Sequence, residues 1–174
     1  NDGKIFKQVI EHVHNDKAAG VIQILPHATN LIKFEHFLDE ILSFYSENVL
    51  SDFLLRTDDY GQTILHYFAS YCKITKIFEY FWDKIKVFID DEKLRQFILT
   101  RGDLERNALL QSIENDNLTS LSFLLEQVYC KLLTIDEFVY ETDVEGENLL
   151  HRPAKFGSLP VLKIILEKLK NELS

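Results

Sequence analysis

The chain has 174 residues, 46% hydrophobic and 27% charged, which suits one folded domain or a short repeat array and excludes a disordered tail. Its net charge of −9 sets an average field that repels phosphate backbones and anionic bilayers, so nucleic acid is not an expected partner. Charges interrupt every apolar run well short of the roughly 18 to 20 residues of a membrane span, and no membrane insertion is expected.

With 6 Gly and 3 Pro against 13 Phe, the chain carries few turn signals and much bulky core material, which predicts a mostly helical protein. It opens on Asn1-Asp2-Gly3-Lys4, without an initiator Met or a signal-peptide layout, and is expected to be an excised part of a longer protein. Ile5, Phe6, Val9, Ile10 and Val13 follow helical spacing and predict, over residues 1–14, the last helix of a preceding unit. Residues 15–57 follow as a decayed repeat, in which the apolar rhythm of residues 30–38 matches that of residues 74–81.

The next unit, residues 58–101, opens with Asp58-Asp59-Tyr60-Gly61-Gln62-Thr63-Ile64-Leu65-His66. The last, residues 143–174, opens with Asp143-Val144-Glu145-Gly146-Glu147-Asn148-Leu149-Leu150-His151, so both read D-x-x-G-x-(T/N)-x-L-H. Between them lies a degenerate copy, residues 102–142, with Leu109 placed 44 positions after Leu65 and 41 before Leu150. Ile74, Leu118 and Leu159 keep the same offsets, and Phe53, Phe97 and Phe138 each stand eight positions before Gly61, Glu105 and Gly146. Three landmarks in one register define a repeat.

Within a unit, Thr63 or Asn148 is a good N-cap for a short helix whose Leu65 or Leu150 faces inward. A turn near Cys72 or Gly157 leads to a longer amphipathic helix, with Ile77, Phe81, Ile85 and Ile89 on one stripe. A third short piece, helical or extended, carries the recurring Phe, as in Asp136-Glu137-Phe138-Val139. No unit can bury these faces alone, so neighbours are expected to stack into a continuous core, to which Phe78, Phe81, Trp82 and Phe88 would belong.

Little in the chain points to chemistry. It contains no GxxxxGK(S/T), GxGxxG or GxSxG motif. His12, His14, His27 and His36 lack the i, i+4 spacing of a metal-binding helix face and have no Cys nearby, and no metal or cofactor is expected. The acidic runs Asp58-Asp59, Asp90-Asp91-Glu92 and residues 114–116 are assigned to turns and helix starts, where negative charge satisfies N–H groups. Cys72 and Cys130 have no CxxC partner and are expected to be reduced thiols, placing the protein in the cytoplasm, with the nucleus also open.

The D-x-x-G-x-T-x-L-H signature, its turn and the helix Leu159-Pro160-Val161-Leu162-Lys163-Ile164-Ile165-Leu166 resemble ankyrin repeats, in particular the long-repeat ankyrin proteins of arthropods and of their viruses and symbionts. Two units match the family closely and two poorly, and periods of 41 to 44 exceed the ~33 residues of the standard unit. The excess falls near residues 84–100 and 130–141. Pro26 and Pro153 also depart from the pattern, and Pro153 is expected to forfeit the bond to the carbonyl of Leu149 and kink its helix.

The resemblance implies an all-α solenoid of about four repeats with short or absent hairpins, in which His66 and His151 hold loops and catalyse nothing. It further implies a protein-binding module whose concave surface uses Asp59, Tyr60, Gln62 and Tyr71 from the first clear repeat, Asp103, Leu104, Arg106 and Asn115 from the second, and Val144, Glu145, Lys155 and Phe156 from the third. Ser70, Glu114 and Glu147 lie at equivalent places, as do Asp16, Lys17, His27 and Ala28 in the decayed repeat. The charge of −9 makes a basic or amphipathic segment of another protein the expected partner. Two other roles fit the same residues: a targeting or regulatory arm of a larger effector, toxin or channel, and an inhibitor resembling the ankyrin-type regulators of transcription factors.

Overall fold

A computed structural model describes residues 25–44 and 46–172. The helix expected over residues 5–13, and with it His12, His14, Asp16 and Lys17, lies outside the described residues. A 3-10 turn, Leu25–His27, is followed by α1 (Leu31–Phe44), α2 (Glu47–Leu55), α3 (Ile64–Tyr71), α4 (Thr75–Ile85), α5 (Asp91–Leu99) and α6 (Ala108–Glu114). Then come α7 (Leu118–Phe123), which continues through a π-helical stretch, Leu124–Tyr129, into a last turn, Cys130–Leu132, and α8 (Ile135–Val139), α9 (His151–Phe156) and α10 (Leu159–Glu172). Among the described residues there is no strand, and no helix is long and apolar enough to cross a membrane.

The excess length is a third helix. α2, α5 and α8 each carry the recurrent Phe, with Phe97 and Phe138 fully buried and Phe53 half-buried. Asp90 starts α5 by accepting from Lys93 N–H at 2.8 Å, and Thr134 starts α8 through a capping box with Glu137. Each full unit is thus a turn, a short helix, a long helix and a short Phe-bearing helix. The stripe Ile77, Phe81, Ile85 and Ile89 is buried as expected, although α4 ends at Ile85 and Ile89 lies beyond it.

The turns keep one backbone register in all three units. Gly61 N–H bonds Asp58 O at 3.0 Å and Asp58 N–H bonds Gln62 O at 3.1 Å; Gly146, Asp143 and Glu147 repeat both bonds, and Glu105, Gly102 and Arg106 repeat them again. Asp58 Oδ1 also accepts from the N–H groups of Tyr60 and Gln62, and Asp143 Oδ1 from those of Glu145 and Glu147. The middle turn departs for a steric reason: a Cβ at Gly102 would stand 3.0 Å from Gln62 Cγ and 3.3 Å from the His66 ring. This turn has two left-handed residues, Leu104 (φ 55°) and Glu105 (φ 57°); Glu105 takes the place of Gly61 and Gly146, which are left-handed in the outer turns. Glu105→Gly is therefore expected to raise the unfolding free energy by about 1 kcal/mol in urea denaturation, because it removes the Cβ strain of the left-handed state. A lower midpoint would show that this residue is unstrained.

Equivalent helices pack on one another along the chain. The 3-10 turn Leu25–His27, α3, α6 and α9 form one row, α1, α4, α7 and α10 a second, and α2 packs on α5. The polar bonds follow the same order and join residues 31 to 52 positions apart, that is, neighbouring units. Asn117 Nδ2 donates to the carbonyls of Ala69 and Cys72 and to Ser120 Oγ, while Ser120 Oγ reaches Phe68 O, so a buried amide and hydroxyl satisfy the end of α3 from the next unit. Tyr129, fully buried in the π-helical stretch, donates to Ile98 O at 2.8 Å and accepts from Leu109 N–H at 3.3 Å. Phe68, Phe78, Phe81 and Trp82 are buried in the core, and Phe88 is half-buried against it.

Three local expectations need correction. Pro153 sits in the first turn of α9, after the N-cap Leu150, where no intrahelical partner awaits an N–H, so it breaks no bond and kinks nothing. Asn148 does accept from the N–H groups of Leu150 and His151, but in the turn that precedes α9, not as its N-cap. With the helix starting later, Leu149 is fully buried and Leu150 only half-buried. Of the acidic run at residues 114–116, Asn115 and Asp116 lie in a turn as expected, and Glu114 is the last residue of α6.

Candidate functional site

The hairpin turns and the row α3, α6 and α9 carry most residues that the resemblance implies for binding. Asp59, Tyr60, Tyr71, Asp103, Leu104, Asn115, Val144, Glu145, Lys155 and Phe156 are exposed, and Gln62 is half-buried. The second and third tips are tied together, since Val144 N–H donates to Leu104 O at 3.1 Å. Among the aromatics, Tyr60 and Phe156 are 68% and 66% exposed. Tyr71 is more engaged: its ring stacks on His27 at 4.6 Å and lies 6.3 Å from Tyr67. Asn115 Nδ2 reaches Ser70 Oγ and Gln111 O. His27 and His36 are exposed, and His36 pairs with Glu40 at 3.3 Å.

Two of the residues expected at the surface are interior. Ser70 is buried because its hydroxyl turns back to His66 O. Arg106 is 6% exposed because it belongs to an ionic cluster that joins the second and third units. In that cluster Arg152 donates through Nε and Nη2 to Asp143 Oδ2 at 3.1 and 2.9 Å and through Nη1 to Glu114. Arg106 approaches Asp143 at 3.5 Å and Glu114 at 3.7 Å, and Lys155 pairs with Glu147 at 2.6 Å and Glu145 at 3.3 Å. Burial by itself would raise the Asp143 carboxyl, but the N–H groups of Glu147 and Glu145 and the Arg152 guanidinium hold it below the usual carboxylate range. Oxygens of Asp143, Glu145 and Glu147 lie within 4.8 Å of one another, yet Arg152 and Lys155 already supply their counter-charge. Sequence reasoning missed this cluster; its one local signal was the Asp143 that opens the third turn.

His66 has both ring nitrogens engaged. Nδ1 accepts from Thr63 N–H at 3.1 Å and faces Thr63 Oγ1 at 2.9 Å, and Nε2 faces Arg106 O, in the next turn, at 3.0 Å. That pattern requires the neutral Nε2–H tautomer, and burial lowers the imidazole pKa to about 4. A ring used in this way has no nitrogen left for a substrate. His151 repeats the first half, accepting Asn148 N–H at 3.1 Å, but its ring is exposed. Neither cysteine forms a disulfide, and burial pushes the Cys72 thiol up.

Compared with protein-family models, with curated proteins and with solved structures, the chain matches none.

Proposed function

We propose that this chain is an ankyrin-like solenoid that works as a non-catalytic protein-binding module, with its partner lying along the hairpin tips and the row α3, α6 and α9. The observation that carries this reading is the exposure of Tyr60, Leu104 and Val144 at successive tips and of Phe156 at the end of α9, where the other described aromatics, apart from Tyr71 and Tyr140, are buried or half-buried. Exposed aromatic anchors beside polar neighbours are the composition of interface hot spots. Asp59, Asp103, Glu105 and Glu145 flank those residues and are exposed as well. Such a surface suits a basic or amphipathic segment, with charge steering the encounter and apolar contact lengthening residence.

Tyr60→Ala combined with Phe156→Ala is expected to weaken binding of the partner by more than ~2 kcal/mol, measured by calorimetry on the protein captured from the host cell by crosslinking. The unfolding midpoint should stay within a few tenths of a kcal/mol, because both rings are exposed. Glu126→Ala, exposed on the π-helical stretch, is the control. Equal loss from the control would place the partner on the opposite face.

A further inference from the structure

We infer that the outer face of α10 is a self-association surface, on which a second copy of this chain packs its own α10 in the antiparallel sense. The face uses none of the hairpin-tip residues assigned to the partner protein above, and it continues an interface that the chain already makes between its units. In the first unit the corresponding side of α4 is covered by α7, with the Phe78 ring 4.4 Å from that of Phe123. In the second unit α7 is covered in turn by α10. Among the described residues, nothing lies on the matching side of α10.

The repeat register identifies what is left uncovered. Counted from Ile74, Leu118 and Leu159, Leu162 of α10 corresponds to Leu121 and Ile77, and Leu166 to Leu125 and Phe81. All four counterparts are fully buried, whereas Leu162 is half-buried and Leu166 is 49% exposed. The phase of the helix is not the cause, because Val161, Ile165 and Leu169 are buried at the same places as Ser120, Leu124 and Val128 of α7. What α10 lacks is the outer half of the stripe that the following unit buries. Leu159, also exposed, extends Leu162 and Leu166 at helical i, i+3, i+7 spacing into one apolar strip, whose burial against a second helix is favourable.

Charge selects the occupant. Lys163 and Glu167 flank the leucines at the places of Phe78 and Trp82; both are exposed, and neither makes an ion pair or a hydrogen bond among the described residues. A two-fold axis midway between them, at Ile165, sets Lys163 of each copy against Glu167 of the other and brings the two Leu166 side chains together near the axis. Parallel pairing in register would set lysine against lysine and glutamate against glutamate, which is unfavourable. A second copy meets this spacing by symmetry alone. Within α10 three lysines stand against two glutamates, on a chain of net charge −9, so two copies meet here without the repulsion that their overall charge sets elsewhere.

The test is sedimentation velocity on the full chain over a rising series of concentrations. The weight-average mass should move from that of the monomer to twice that value and stop there, because a two-fold contact closes on itself. Leu166→Glu should keep the chain monomeric throughout, with an unchanged circular dichroism spectrum, since the altered side chain is 49% exposed. Lys163→Glu should weaken association about tenfold or more by setting like charges face to face, and adding Glu167→Lys to it should restore the dimer. Tyr60→Ala, at a hairpin tip, should change nothing. A wild-type chain that is still monomeric at millimolar concentration overturns the proposal, as does growth past the dimer. Dimers that survive Leu166→Glu, or that dissociate on Tyr60→Ala, place the contact elsewhere and overturn it as well. So does a charge exchange that restores nothing, because the contact then lacks the antiparallel pairing. None of these measurements involves the partner of the hairpin tips, so the protein-binding reading stands or falls separately, on the Tyr60 and Phe156 substitutions.

Discussion

Arg152→Met is expected to lower the unfolding free energy by about 3 to 5 kcal/mol, the largest loss from any single substitution considered for this chain. The Arg152 side chain is 4% exposed, and its partner Asp143 is 1% exposed. Methionine keeps much of the buried stem volume and removes the charge, so the loss measures the ion pair and not a cavity. The Asp143 carboxylate would remain buried with its turn N–H donors and Arg106 at 3.5 Å, while Glu114 would lose its hydrogen-bonded cation. The pairs to Glu145 and Glu147, at 3.6 and 3.4 Å, add little, because the first is half in water and the second is shared with Lys155. Asp143→Asn should partly rescue Arg152→Met, since an amide keeps an oxygen for the turn and carries no charge; the double variant should lie well above the sum of the two losses. Because the Asp143 pKa is depressed in the folded state, its stabilising contribution is present above the unfolded carboxylate pKa and is lost as the pH falls through the folded value. A loss below about 1 kcal/mol in urea denaturation at pH 7 would show that the cluster is solvated and does not join the units.

The second large effect is at His66, and it has a pH signature. Removing the ring in His66→Ala leaves Thr63 N–H and Arg106 O without their partner and should destabilise by about 1 to 3 kcal/mol at pH 7. In the wild type the folded imidazole has its pKa lowered to about 4 from the ordinary 6.5, first by burial. The unfolded chain then binds more protons between those values, so stability rises with pH across that window: the contribution is complete above the unfolded pKa and is lost as the pH falls toward the folded one. The full span is on the order of 3 kcal/mol, and about 2 kcal/mol of it should disappear between pH 7 and pH 5, before most carboxylates titrate. Urea midpoints at the two pH values, compared for wild type and His66→Ala, read this directly. The variant should be nearly flat over the interval; a flat wild type would mean that His66 is not held neutral between the turns.

Much of the architecture was legible because it is local and periodic. The registers of Leu65 with Leu109 and of Phe97 with Phe138 mark buried positions on successive equivalent helices, and the Asp58 and Asp143 turns are written in an aspartate followed three residues later by glycine. Side chains that bond their own turn, and apolar stripes with a helical period, need no knowledge of distant partners. The sequence by itself therefore determined the helical class and the spacing of the turns, whereas the bond from His66 to Arg106 O, in the next turn, belongs to the tertiary structure.

Tertiary structure decided what depends on two units at once. Arg106 occupies a turn position that alone would face water; it is buried because Asp143 and Glu114, 37 and eight positions away, converge on it once α6 and α9 pack. The phase of α9 is another case: its later start buries Leu149 instead of Leu150 and makes Pro153 harmless, a shift of one or two residues that the hydrophobic pattern Leu149-Leu150 cannot resolve. Gly102 follows the same logic, since its missing side chain answers to Gln62 and His66 in the preceding unit and to nothing in its own turn. Electrostatic pairing and steric exclusion across an interface act through space over residues tens of positions apart, and a one-dimensional pattern carries no record of which of them will meet.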